Sequence, residues 1–204
     1  MNWENIKTKA LPLLRKWWCS LLLIPFIIYS VHQSYWTLNY NIFFAISYEF
    51  PFPINFINFL LDNFLLITHE AGHTFFGFLG IRTLTILGGS LFQIILPLMI
   101  LTYFWFNKIK IGIQLSWYML GFSFIDVAFY AADGGARQLP LIGGLSKESH
   151  DWYNLLVRWN MLESDITFGV LFTLIGILCY LFALSIPLYF RKYNQVDLNL
   201  NLDK

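Results

Sequence analysis

From Thr83 to Phe106 the chain runs 24 residues without a charged side chain. As a helix this run extends about 36 Å at 1.5 Å per residue, enough to cross the ~30 Å hydrocarbon core of a bilayer with some tilt. Similar apolar blocks recur over Trp17–Val31, Phe56–Gly80, Ile111–Ala132 and Ile166–Phe190. Only 12% of the 204 residues are charged and 57% are hydrophobic. A soluble domain carries about a quarter charged residues, so a soluble fold is a poor home for this chain. The expectation is an all-α, polytopic membrane helical bundle, one domain over residues 1–204, with about five transmembrane helices and the lipid bilayer as its surroundings. His32–Asn55, holding Pro51 and Pro53, reads as an aromatic interfacial or re-entrant segment. Asp133–Asp165 reads as the main extramembrane loop, with an amphipathic helix over Trp152–Leu162.

The N-terminal region has a basic lead-in with Lys7, Lys9, Arg15 and Lys16. Bulky aromatics and the lack of a small-x-small cleavage site favour a membrane anchor over a cleaved signal peptide. With the N-terminus cytoplasmic, eight Lys and Arg fall on the inner side and five on the outer. That bias predicts a cytoplasmic N-terminus. A net charge of +1 and the lack of a basic run argue against nucleic acid as a partner. Cys19 and Cys179 lie in apolar blocks at unrelated positions and are not spaced as metal ligands.

Within the Phe56–Gly80 block stands Thr68-His69-Glu70-Ala71-Gly72-His73. Two imidazoles four residues apart share one helix face and can hold one metal ion. Glu70, offset by about 100° from His69, can address a water on that metal without being a ligand. Titratable groups in a membrane helix are costly and mark functional candidates. Other polar groups reach a similar depth if the helices alternate in direction: Gln93 in the third block and Asp126 in the fourth, on a face with Ser123 and Tyr130. Gln93 is a candidate for hydrogen-bonding a substrate carbonyl, or for bridging helices. His150 lies on a Gly-flanked loop that opens on the same side. Asp151 could orient a ligating imidazole, or His150-Asp151-Trp152 could be an ordinary helix cap with an interfacial Trp. Asp62 and Glu163 read as structural or solvated acids, and His32 as interfacial.

On His69-Glu70-x-x-His73 in a membrane helix, Gly88-Gly89-Ser90 in the next and an Asp two helices on, the stretch Phe56–Gly144 resembles the site-2 protease family of intramembrane zinc metalloproteases. It looks most like their small, minimal relatives. The resemblance implies His69 and His73 as ligands of a zinc ion, Glu70 as the general base, and a membrane-embedded peptide as substrate. It also implies an Asp as third ligand. Ala132-Asp133-Gly134-Gly135 copies the Asp-Gly half of the family's context, without its Leu and without its Asn-Pro part. Depth favours Asp126, chemistry admits His150, and Asp133 stands third. The expected function is therefore a membrane-embedded zinc hydrolase. A zinc-dependent lipid amidase, or a non-enzymatic protein handling metal or protons in the membrane, is the alternative.

Overall fold

The computed structural model describes residues 10–39 and 51–190. Among the described residues six α-helices follow one another: α1 (Leu11–Asn39), α2 (Ile54–Gly77), α3 (Arg82–Phe106), α4 (Lys110–Ala132), α5 (Asp151–Arg158) and α6 (Asp165–Tyr189). Single 3₁₀ turns at Ile142–Gly144, Lys147–Ser149 and Leu162–Ser164 link the later helices. There is no strand among the described residues. Four helices among the described residues are long and apolar enough to cross a membrane: α1, α3, α4, and α6 with the turn that leads into it. The chain is a multi-pass membrane protein on that ground. Helix α2 is of similar length. Asn55, Asn58, Asp62, Asn63 and the His-Glu-x-x-His stretch dilute its apolar character, and it falls short of the other four.

Most boundaries lie within three residues of those expected. The exceptions are α5, which ends at Arg158 instead of Leu162, and α1, which begins at Leu11 instead of Trp17 and continues to Asn39 instead of ending near Val31. Its polar extension supplies its own support. Trp36 Nε1 donates to His32 Nε2 at 2.9 Å and Asn39 Nδ2 to the Tyr35 carbonyl at 2.8 Å, each spanning four residues. His32–Asn39 is therefore helix and not part of an irregular segment. The rest of that expected interfacial segment up to Phe50, the basic lead-in with Lys7 and Lys9, and the C-terminal tail lie outside the described residues.

Helix α4 is the axis of the bundle, with buried residues on every face from Gly112 to Ala132. It packs mainly on α6 and α3, while α2 packs chiefly on α3. Cys19, Leu23 and Phe26 of α1, Leu65 of α2, Tyr118, Phe122 and Ile125 of α4, and Tyr180 and Ala183 of α6 form one continuous core. A second cluster, Val127, Ala131, Trp152, Leu155 and Leu156, seats the short helix α5 against α4. Trp152 also donates its indole N–H to Ser90 Oγ of α3 at 3.1 Å. The amphipathic helix read from the loop is thus fixed to the membrane bundle, which brings its first residue to the face of α2.

The α2–α3 hairpin is close because two glycines meet at its crossing. A Cβ on Gly72 would collide with the Gly88 carbonyl, and a Cβ on Gly88 with Phe76. Small residues at such a crossing are the usual means by which membrane helices approach each other.

Candidate metal centre

His69 and His73 project from one face of α2, their ring centroids 4.7 Å apart and the rings near perpendicular. Gly89 of α3 makes room for them, since a Cβ there would run into the His69 ring. Each imidazole is anchored at Nδ1. His73 Nδ1 lies 2.8 Å from the Thr85 carbonyl, which can only accept, so this nitrogen carries the proton. His69 Nδ1 lies 2.9 Å from Gln93 Oε1. The amide is oriented by its other end, where Gln93 Nε2 donates to Asp126 Oδ2 at 2.6 Å. With a carboxylate there, the carbonyl must face His69, and that Nδ1 is protonated too.

In the neutral rings both Nε2 atoms are therefore lone pairs. Both point at one oxygen, Asp151 Oδ2, at 2.9 Å from His69 and 3.1 Å from His73. Three acceptors in mutual contact repel one another unless protons or a cation lie among them. The three donor atoms all fall within 4.8 Å of one another. Tetrahedral zinc with bonds of about 2.0–2.1 Å would hold its ligand atoms about 3.3 Å apart, close to the separations found here. The set therefore fits a small divalent ion. Burial pushes the Asp151 carboxyl up, but without a metal ion the Nε2–H groups of protonated His69 and His73 donate to it, outweigh this and hold it down at about 2. It is a ready anion at any physiological pH.

Asp151 is positioned from several directions. It is the first residue of α5, and Tyr130 of α4 holds it twice: the phenol accepts from the Asp151 backbone N–H at 3.1 Å and lies 3.3 Å from Oδ2. His150 caps α5, its Nδ1 accepting from the Tyr153 N–H at 3.2 Å. The Asp133 carboxylate lies 3.3 Å from His150 Nε2 and accepts from the N–H groups of Gln138 and Leu139.

Of the residues singled out from the sequence, His69 and His73 converge as expected. The third donor does not fall where depth or chemistry pointed. Asp126 reaches the histidines only through Gln93, and His150 is fully buried against Asp133, turned away from the pair. Asp151 takes the place assigned to them, because the His150 cap turns the next side chain toward α2. Gln93 takes the helix-bridging alternative: its amide joins His69 of α2 to Asp126 of α4, both ends committed, and so positions a ring. Tyr130, seen in the sequence only as part of a polar face, belongs to the centre. The signal that pointed to Asp151 was the His-Asp-Trp start of a loop helix, since a cap at His150 fixes Asp151 at the first helical position.

A cavity of about 640 Å³ opens on this cluster. Glu70 is on its wall, half-buried, and its carboxylate has no hydrogen bond or ion pair with a described residue. The remaining wall is largely apolar, with Leu66 and Phe129 from the bundle and Leu139, Leu141, Ile142 and Leu145 from the loop. Comparison with protein-family models, with curated proteins and with solved structures finds no match to this chain.

Proposed function

We propose that the chain is a membrane-embedded, zinc-dependent hydrolase that cleaves an amide bond, in the first instance the peptide bond of a membrane-embedded substrate. One observation carries the reading: two Nε2 lone pairs, each fixed by a partner on its Nδ1, face a single carboxylate oxygen beside an unengaged glutamate. Two neutral imidazoles and a carboxylate suit zinc and leave a fourth position open. A bound zinc would supply Lewis acidity toward a carbonyl oxygen and lower the pKa of a water to about 7.

The chain's own residues do the rest. His69, His73 and Asp151 hold the ion, while Gln93, Asp126 and Thr85 keep the rings in the tautomer that presents Nε2. Glu70, unengaged on the wall, takes the proton from the attacking water and returns it to the leaving nitrogen. Water enters from the loop side, past Ser149 and Leu139, because hydrocarbon excludes it. The apolar wall excludes other solvent and seats a membrane-borne chain. That wall suits a lipid amide as well, so the acyl donor is either an embedded peptide or such a lipid. The excess of Lys and Arg on one side favours a cytoplasmic N-terminus and a cavity open toward the cytoplasm.

The test begins with elemental analysis of the detergent-purified protein, expected to give about one zinc per chain. Glu70→Gln should keep that zinc and lose roughly 10²–10⁴-fold in turnover of peptide or lipid amide, the usual worth of a general base. A wild type that takes up no metal when zinc is supplied, or a Glu70→Gln variant with undiminished turnover, would overturn the reading.

A further inference from the structure

The Tyr130 ring stands between two histidines, edge-on to His69 with centroids 5.5 Å apart and tilted over His150 at 4.3 Å. Its phenol accepts from the Asp151 backbone N–H at 3.1 Å, and a bond accepted in this way polarises the O–H. The proton of that O–H is not firmly spent. Its one acceptor among the described residues is Asp151 Oδ2 at 3.3 Å, beyond the range of about 2.5–3.0 Å usual between two oxygens. Oδ2 is also the atom that both Nε2 lone pairs face, so an ion held there draws on it and leaves it a poorer acceptor. Tyr130 lines the cavity, and its proton can turn to an oxygen that a substrate brings in.

The other donors of the wall are engaged or distant. Neither Lys nor Arg lines the cavity. Gln93 donates to Asp126 at 2.6 Å, and the Thr85 hydroxyl to the Ile81 carbonyl at 3.2 Å. Both imidazole Nδ1–H groups are taken, by Gln93 Oε1 and the Thr85 carbonyl. Asn63 lies six residues before His69, about 9 Å along the axis at 1.5 Å per residue. Ser149 is exposed at the loop rim. In amide hydrolysis the water oxygen adds to the carbonyl carbon, the C=O pair moves onto the carbonyl oxygen, and Glu70 holds the proton that the water loses. A preorganised donor is worth more to that charged oxygen than to the neutral carbonyl. Donor atoms around one small ion stand about 3.3 Å apart. The phenol oxygen is itself 3.3 Å from Oδ2, so it and a carbonyl oxygen in the fourth place can be hydrogen-bond neighbours.

We propose that Tyr130 is a catalytic residue of this centre: its phenol donates a hydrogen bond to the substrate's carbonyl oxygen as that oxygen takes up charge. This deepens the hydrolase reading and rests on it. The phenol keeps its proton throughout. The electron pair returns to carbon as the C–N bond breaks, and the nitrogen leaves with the proton that Glu70 held. The role is the same for a peptide and for a lipid amide, since both present the same carbonyl oxygen.

The test uses the full-length, zinc-loaded protein in detergent and two ligands with the same apolar chain, an alkyl phosphinate and an alkyl thiol. The phosphinate brings a charged oxygen on a tetrahedral atom, as the amide does once water has added. The thiol offers the metal a sulfur, which is a weak acceptor. Titration calorimetry reads both without any need for turnover. Tyr130→Phe is expected to keep the zinc and to leave thiol binding unchanged. It should weaken the phosphinate roughly 10–100-fold, the usual worth of a hydrogen bond to a charged group. In turnover the same variant should lose roughly 10²-fold in kcat with little change in KM. Should Tyr130→Phe not fold, 3-fluorotyrosine in place of Tyr130 alone reports the contact: its fluorine resonance should move with the phosphinate and not with the thiol. Loss of zinc from Tyr130→Phe, or equal weakening of both ligands, would leave the phenol only its hold on Asp151 and overturn the catalytic role. So would a phosphinate affinity that Tyr130→Phe leaves intact. Failure of both ligands to bind the wild type would instead remove the metal centre itself.

Discussion

Two histidine–aspartate contacts lie side by side in this molecule, and consecutive residues serve them. His150 meets Asp133 at 3.3 Å, and Asp151 meets His69 and His73 at 2.9 and 3.1 Å. The first is screened from solvent and the second is partly exposed, and they are built for different ends. The His150–Asp133 contact is closed: His150 is fully buried, its Nδ1 is spent on capping α5, and Asp133 is spent on two loop N–H groups. The second contact joins three donors, locks both rings with Nε2 inward, and opens on a cavity. A His–Asp contact alone therefore does not mark a metal centre. Convergence, a fixed tautomer and access do, and the closed contact serves to hold the loop that delivers Asp151 to the open one.

The sharpest way to break this comparison is to remove one acid from each contact. Asp151→Ala should take the zinc content from about one per chain to none, by elemental analysis, with helical content unchanged by circular dichroism. Asp133→Asn should keep the zinc and lower thermal stability instead, by an amount on the order of 1–3 kcal/mol for a disturbed buried polar contact. Loss of zinc in Asp133→Asn with retention in Asp151→Ala would reverse the two assignments. Gly89→Ala should approach Asp151→Ala in effect, because the added methyl occupies the His69 ring position. Gln93→Leu leaves all three ligands in place and removes only the acceptor on His69 Nδ1. Its expected cost is roughly 10–100-fold in zinc affinity, the usual worth of such a partner, read by competition with a chelator. Asp126→Asn, one bond further out, should cost less than Gln93→Leu.

How far these features could be read from the residues differs between the bundle and the centre. The helical bundle was legible because its signals are local: uncharged runs of membrane length need no knowledge of what they pack against. The extension of α1 past Val31 was not, because side-chain bonds across one helical turn, such as Trp36 to His32, override an apparently polar stretch. His69 and His73 were legible because helix geometry alone puts them on one face. The third candidate ligand comes from across a loop, 78 residues beyond His73. Depth brought Gln93 and Asp126 correctly toward His69, yet depth cannot tell a carboxylate that touches a ligand's partner from one that touches the ligand. Only the seating of Trp152 on Ser90 and of Leu155 and Leu156 on α4 decides that Asp151 faces inward and His150 does not.

The smallest effect expected is in acid, and it separates the two contacts without removing an atom from either ring. Metal binding needs neutral imidazoles, so zinc should leave as pH falls through and below the ordinary histidine range near 6.5. Asp151 does not set that release, since its carboxyl is held at about 2, below its ordinary 3.8, and stays ionised throughout. In the metal-free protein the sign is that of any depressed carboxyl. Its contribution to stability is present above the unfolded value, and is lost as pH falls from about 4 toward about 2. Asp151→Asn should therefore flatten the fall in stability of the metal-free protein over that window, measured as melting temperature against pH relative to wild type. Above about pH 5 the two curves should differ again only where the histidines that face Asp151 titrate, since the coupling between them is reciprocal. Curves that match across both windows would mean that Asp151 is not the anion the two histidines face.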